Sequence, residues 1–260
     1  MDEFRTYGTV PYLVAVVHGG PGAPGEMAPV ARELAYTTGV IEPLQTGDTV
    51  EKQVEELRAI LTENAELPVT LIGYSWGAWL SFIVASRYPS MIGKLILVSS
   101  GPFEEEYSRD IMKKRLSRLD ESEKQEALSL IESFNVPIRG NMDEKMARFG
   151  QLISKADSYD PLPHDDEVLE MQYRIFQSVW KDAEQLRHSG ELLRFGTNIQ
   201  CPVVAIHGAY DPHPAEGVEK PLSGILKDFR FFLLQNCGHT PWIERQARDG
   251  FYEVLMRECR

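Results

Sequence analysis

The chain has 260 residues, 43% of them hydrophobic and 25% charged, a balance that suits a folded globular protein and excludes wholesale disorder. Acidic residues outnumber basic ones 39 to 27, and the formal charge of −12 repels phosphate backbones and anionic lipid, so neither nucleic acid nor membrane is an expected partner. No apolar run approaches the roughly 20 residues that span a bilayer.

The first residues carry acid (Asp2, Glu3) where a signal peptide carries positive charge. The three cysteines, Cys201, Cys237 and Cys259, are widely spaced and odd in number, and form neither a ligand set nor a disulfide framework. Both features lead to the expectation of a cytoplasmic protein.

In chain order, an apolar strand over residues 12–17 runs into His18-Gly19-Gly20-Pro21-Gly22. A helix is expected over 27–36, a weaker strand over 39–42 and a helix over 50–64. A strand over 69–72 leads into Gly73-Tyr74-Ser75-Trp76-Gly77, followed by a nearly all-apolar helix over 78–88 and a strand over 95–98. From about 102 to 190 no strand is visible. Charged amphipathic helices are expected instead over 104–119, 122–134, 143–156 and 166–187, with Ser122-x-x-Gln125 as a capping box and Pro137, Pro161 and Pro163 in the gaps. Strands return at 203–206 and 231–234, and a helix over 242–258 closes the chain.

The strand runs are continuously apolar rather than alternating, the pattern of a mostly parallel sheet covered on both faces. The expected architecture is a doubly wound α/β core, residues 1–101 and 191–260, with an all-helical lid, residues 102–190, over the carboxyl edge of the sheet.

Gly-x-Ser-x-Gly between a strand and a helix places a serine hydroxyl on a sharp turn, with small neighbours where any Cβ would clash. Serine needs a base, and the base needs a partner to fix it. Asp211, in the loop after strand 203–206, and His239, in the loop after strand 231–234, supply both. The 28 residues between them leave room for one crossover helix. The expected roles are Ser75 as nucleophile, His239 as general base and Asp211 as its orienting carboxylate. Oxyanion donors are expected from the backbone of Trp76 and of Gly20, with Gly19 as the alternative. His18 is read as a tether for its loop rather than a base.

These four segments in order resemble the α/β-hydrolase superfamily, and His-Gly-Gly-Pro-Gly with the Ser-Trp pair is most similar to its proline iminopeptidase-like branch. The resemblance covers about residues 10–101 and 191–258. It implies a serine hydrolase with the α/β-hydrolase fold, acting on a small molecule or short peptide without metal or organic cofactor. It departs from the branch in two places. The branch's Asp-x-Arg-Gly-x-Gly-x-Ser loop is replaced by Glu42-Pro43-Leu44-Gln45-Thr46-Gly47-Asp48-Thr49, and the first antiparallel hairpin is missing or reduced. The branch also holds its substrate's amine with lid acids. Here the lid carries Glu104, Glu105, Glu106, Asp157, Asp160, Asp165, Asp166 and Glu167, none singled out by spacing and all readable as solvated helix faces.

Other readings compete. Gly20-Pro21-Gly22-Ala23-Pro24-Gly25, with Glu42 downstream, matches a dinucleotide fingerprint, but two prolines remove the N–H groups such a loop offers to a pyrophosphate. A carboxylesterase, a lipase-like enzyme, a carbon–carbon bond hydrolase and a non-catalytic receptor on the same fold remain as alternatives. Trp79, Trp180 and Trp242 read as packing residues. His164, His188 and His213 show no partners at metal-ligand spacing, so no metal site is expected.

Overall fold

Strands β1 (Phe4–Tyr7), β2 (Tyr12–Val17), β3 (Gly39–Pro43), β4 (Val69–Tyr74), β5 (Ile92–Val98), β6 (Val203–Gly208) and β7 (Phe229–Leu234) form one sheet in the order β1-β3-β2-β4-β5-β6-β7. The computed structural model describes residues 3–135, 140–165 and 167–259; the gap residue Pro137 and the lid acid Asp166 lie outside the described residues. All pairings are parallel except β1 with β3, where Phe4 faces Pro43 and Tyr7 faces Val40. This is the expected α/β-hydrolase fold with its first antiparallel hairpin reduced to one short strand.

The sheet sorts its side chains by the two-residue period of extended chain. Ala15, Val17, Leu71, Leu95, Leu97, Val203 and Ala205 pack to one face, beneath α2 (Val50–Asn64) and α3 (Trp76–Arg87). Val14, Val16, Ile72, Ile96, Val98, Val204 and Ile206 pack to the other with α1 (Ala28–Leu34) and the terminal helix Arg248–Glu258. Burial on both faces explains the unbroken apolar runs. The exception is β7, an edge strand with Leu233 44% exposed, whose apolar residues were expected to be fully buried.

Between β5 and β6 the chain is helical, with α4 (Ile111–Ser117), α5 (Glu121–Phe134), α6 (Met142–Asp157), α7 (Tyr173–His188) and α8 (Glu191–Arg194). α9 (Glu216–Ile225) makes the expected crossover from β6 to β7, and α10 is the terminal helix Arg248–Glu258. Leu119, Ala127, Leu152 and Ala156 form a small core of their own among these inserted helices, while Val179 and Ala183 of α7 join the main core.

The helix expected over 104–119 is a 3-10 turn over Glu105–Tyr107 followed by α4 from Ile111. Three other expected helix starts move for a local reason. The capping box of α5 is Asp120 with Glu123, not Ser122 with Gln125: Asp120 Oδ1 accepts from Glu123 N at 2.9 Å, and Ser122 Oγ donates to Asp120 instead. α7 begins at Tyr173 rather than 166, because the backbone of 167–172 bonds to the loop after β2, Leu169 N to Pro24 O and Gln172 N to Gly22 O, both at 2.9 Å. The terminal helix begins at Arg248 rather than 242, because residues 241–243 form one 3-10 turn and Glu244 points inward to cap other segments.

Candidate active site

β2 has β3 on one side and β4 on the other, so successive connections run in opposite directions from it and leave a crevice at the carboxyl ends of β2 and β4. Val17 is in register with Gly73, which puts the glycine loop after β2 beside the turn after β4. Ser75 occupies that turn with φ 52° and ψ −113°, a left-handed conformation costing a non-glycine residue about 1–3 kcal/mol. The surroundings enforce it. Ser75 N donates to Val98 O at 2.9 Å, and α3 starts at the next residue.

From the other side, β6 and β7 deliver Asp211 and His239 in the loops that follow them. His239 Nε2 lies 3.0 Å from Ser75 Oγ, and His239 Nδ1 lies 2.7 Å from Asp211 Oδ2. All three residues predicted from the sequence meet. Burial alone would lower the affinity of His239 for a proton, but the charge and hydrogen bond of Asp211 outweigh it and hold the imidazole above its ordinary range. Burial would raise the Asp211 carboxyl. The surrounding His239, His213 and His207 outweigh that and hold it well below the usual carboxylate range.

Gly20 and Trp76 line the cavity beside Ser75. Gly19 packs against Glu26 and the Tyr74 ring, where a methyl group would lie 2.6 Å from Glu26 Oε2. His18 is fully buried, with Nδ1 2.6 Å from Gly19 O, the tether expected of it, and burial lowers its pKa to about 4. The Trp76 indole is held from behind by Gln53 Oε1 at 3.0 Å, so the residue after Ser75 is fixed through its side chain as well as its helix.

Four contributors are not placed at the site by the sequence, although His213 and Asp157 are named there in other readings. His213 is the first, and the expectation that it lacks partners fails: its backbone N and its Nδ1 lie 2.9 and 2.7 Å from Asp211 Oδ1. Asp211, His213 and His239 bring one potential metal-ligand atom each within 4.8 Å of one another, and each oxygen of Asp211 already takes a hydrogen bond from one of the two rings. The signal was present in Asp-Pro-His, since an aspartate side chain commonly bonds the backbone N–H two residues on. Glu244 is the second. Fully buried, its carboxylate accepts from Gly238 N, Tyr159 N and Asp160 N at 2.9, 2.7 and 2.8 Å, tying the His239 loop to the segment after α6. Asp157 and Arg115 complete the set. They form a bidentate pair with contacts of 2.6–3.1 Å, and the Asp157 carbonyl accepts from His239 N at 2.9 Å. No periodicity marks such long-range pairs.

The cavity above Ser75 has a volume of about 1590 Å³ and extends among the inserted helices. Trp76, Trp79 and Trp180 contribute to its walls, so Trp79 and Trp180 pack in the core and also border the cavity; Trp79 stacks on Trp180 with centroids 5.9 Å apart. Trp242 packs edge-on against Tyr74, at 4.7 Å, beneath the site. Of the acids expected in the lid, Glu105, Asp157, Asp165 and Glu167 border the cavity, and Glu105, Asp157 and Glu167 are paired to Arg187, Arg115 and Arg32 respectively. The loop resembling a dinucleotide fingerprint is covered: at Gly22 and Gly25 an added methyl would overlap the backbone oxygens of Gln172 and Glu167. Glu42 binds Arg5 and Tyr7 rather than facing an open crevice. No described helix is long and apolar enough to cross a membrane.

The alpha/beta hydrolase fold family matches residues 43–246, and the chain belongs to that family. It is 26% identical over 205 residues to the biotin biosynthesis bifunctional protein BioHC of Teredinibacter turnerae; this covers 75% of the chain and 33% of that protein, so the chain spans about a third of the curated relative's length. Among solved structures it resembles the 2-hydroxy-6-oxo-6-phenylhexa-2,4-dienoate hydrolase of Rhodococcus sp. strain RHA1, with a TM-score of 0.64, 20% identity and coverage of 96% of this chain and 92% of that one. It also resembles a proline iminopeptidase of Mycobacterium smegmatis, with a TM-score of 0.61, 17% identity and coverage of 98% and 92%. At these identities the likeness concerns the fold, and the iminopeptidase is one neighbour among several kinds of hydrolase.

Proposed function

We propose that the protein is a serine hydrolase cleaving a small ester, amide or short peptide through an acyl-enzyme. The observation that carries this reading is the chain of contacts from Ser75 Oγ to His239 Nε2 at 3.0 Å and from His239 Nδ1 to Asp211 Oδ2 at 2.7 Å. Ser75 Oγ attacks the substrate carbonyl while its proton passes to His239 Nε2, and Asp211 stabilises the resulting imidazolium. The tetrahedral oxyanion is held by the backbone N–H groups of Trp76 and Gly20, which border the same cavity. His239 then protonates the leaving group, and water, activated by the same imidazole, releases the acid. The helices of residues 102–190 act as a cap that shapes the acyl site.

Within this class the acids around the cavity bear on the choice of substrate. Among the described residues Glu105, Asp157 and Glu167 are each matched by an arginine, whereas Asp165 and Glu33 border the cavity without an ion pair. Such carboxylates suit a substrate's free amine, so an iminopeptidase-like activity is one reading and a carboxylesterase-type activity the other.

The test is a panel of p-nitrophenyl esters and aminoacyl-naphthylamides with the wild type and Ser75→Ala, together with fluorophosphonate labelling. Ester turnover and labelling, both lost in Ser75→Ala, are expected. Labelling that persists in that variant removes Ser75 as the nucleophile, and hydrolysis confined to substrates with a free amine returns the iminopeptidase reading.

A further inference from the structure

Asp211 does not serve His239 alone. Its Oδ2 binds His239 Nδ1 at 2.7 Å, while its Oδ1 takes both the backbone N–H and the ring Nδ1–H of His213, at 2.9 and 2.7 Å. The two imidazoles lean on one another with centroids 4.7 Å apart, and His213 borders the cavity next to His239. Behind them His207 Nε2 donates to the His213 carbonyl at 2.9 Å and stands 3.6 Å from Asp211 Oδ2, fixing the turn from 211 to 213. One carboxylate is thus shared among imidazoles on both its oxygens.

We propose that His213 is a positioning residue that sets, through Asp211, how strongly His239 holds a proton. This rests on the serine-hydrolase reading above. Each N–H that a carboxylate accepts draws off part of its negative charge. Burial pushes His213 down to about 4, so at neutral pH it is an uncharged ring whose Nδ1–H is committed to Asp211. Removing that donor concentrates the charge of Asp211 on His239 and frees the carboxylate to rotate away from the line Ser75–His239–Asp211. Both effects act on the base, not on the nucleophile. The other groups facing this cluster are Arg115 from α4, Asp157 from α6, Tyr74 from the end of β4, His207 from β6 and Cys237 from the loop after β7. Arg115 and Asp157 neutralise each other, so neither replaces the lost donor.

The experiment follows the rate of fluorophosphonate labelling of Ser75 from pH 4 to 9, which needs no knowledge of the natural substrate and depends on neutral His239. In His213→Leu the acid limb is expected to move up by about one pH unit and the plateau rate to fall roughly tenfold. His213→Asn returns an amide donor near the position of Nδ1 and is expected to restore both. If the leucine variant does not fold, His213→Gln, whose amide sits one methylene too far out, makes the same comparison with asparagine. A limb that stays where the wild type has it overturns the proposal, as does an asparagine variant that behaves like leucine. Absence of labelling at Ser75 in the wild type overturns the serine-hydrolase reading itself, and this proposal with it.

Discussion

Gly73 and Gly77 face each other across the turn that presents Ser75: a methyl group on Gly73 would overlap the Gly77 carbonyl oxygen and lie 2.6 Å from Ser81 Oγ. A methyl on Gly77 would in turn overlap the carbonyl oxygens of Val17, at 2.5 Å, and of His18. Both obstacles to Gly77 are backbone of β2 and its loop, which cannot move without separating β2 from β4.

Gly77→Ala is therefore expected to destabilise the protein by about 3 kcal/mol or more, in the range of an overpacked core. Activity should fall further than the folded fraction, because the displaced loop carries Gly20. Denaturant melts alongside labelling of Ser75 check this. A variant with wild-type midpoint and labelling rate refutes the steric argument.

Glu244 makes a different prediction. Its buried carboxylate serves three backbone N–H groups, and Glu244→Gln turns one accepting oxygen into an NH2 that must face a donor. The expected cost is about 2–3 kcal/mol for a charge-assisted bond lost and a donor left facing a donor. The His239 loop should loosen with it, since Gly238 is one of the three. Hydrogen exchange at Gly238, Tyr159 and Asp160, compared between the two proteins, reads this directly; unchanged protection at all three refutes it.

How much of this was legible in the sequence divides by the range of the interaction. The strands, the turn around Ser75 and the placement of Asp211 and His239 follow from local chemistry: apolar runs, glycines flanking a serine, polar loops at strand ends. The Asp211–His213 contact is local too, but metal-ligand spacing does not register a turn closed by an aspartate side chain. The start of α7 differs from the expected one because Leu169 and Gln172 give their backbone N–H groups to the Gly22–Pro24 loop, a tertiary competition that helical periodicity does not record. The contacts of Glu244 with Tyr159 and Asp160 and the Arg115–Asp157 pair escape the sequence for the same reason, their partners lying 42 to 85 residues away. The acidic residues of 102–190 that read as solvated faces include Asp157, which is buried.

Asp157 also supplies the backbone acceptor for His239 N, so the Arg115 pair bears on the site as well as on the inserted helices. Arg115→Ala leaves a buried carboxylate without its counter-charge, which costs about 3–5 kcal/mol in comparable pairs. Arg115→Met with Asp157→Leu removes both charges and should recover most of that loss. The double variant should nonetheless keep His239 N bonded, because the acceptor is main chain. A double-mutant cycle on unfolding free energies measures the coupling. Simple additivity of the two single variants would mean that the pair is not energetically a unit.

The last prediction concerns acid. His18 is fully buried, and burial holds its pKa near 4 against an ordinary imidazole value of 6.5. Between these limits the unfolded chain binds a proton that the folded chain refuses, so stability must rise with pH across the window and be lost as pH falls from 6.5 toward 4. The full span amounts to about 3 kcal/mol from this one ring. His213, also held near 4, adds a loss of the same sign, whereas His239, raised by Asp211, contributes stability that is greatest when it is charged and so opposes them. Replacing His18 by Asn keeps a donor for the Gly19 carbonyl and removes the titration. Urea unfolding at pH 4.5 and 7 should then show a smaller difference between the two conditions for His18→Asn than for the wild type. An identical difference in both proteins would mean that His18 accepts its proton as readily folded as unfolded.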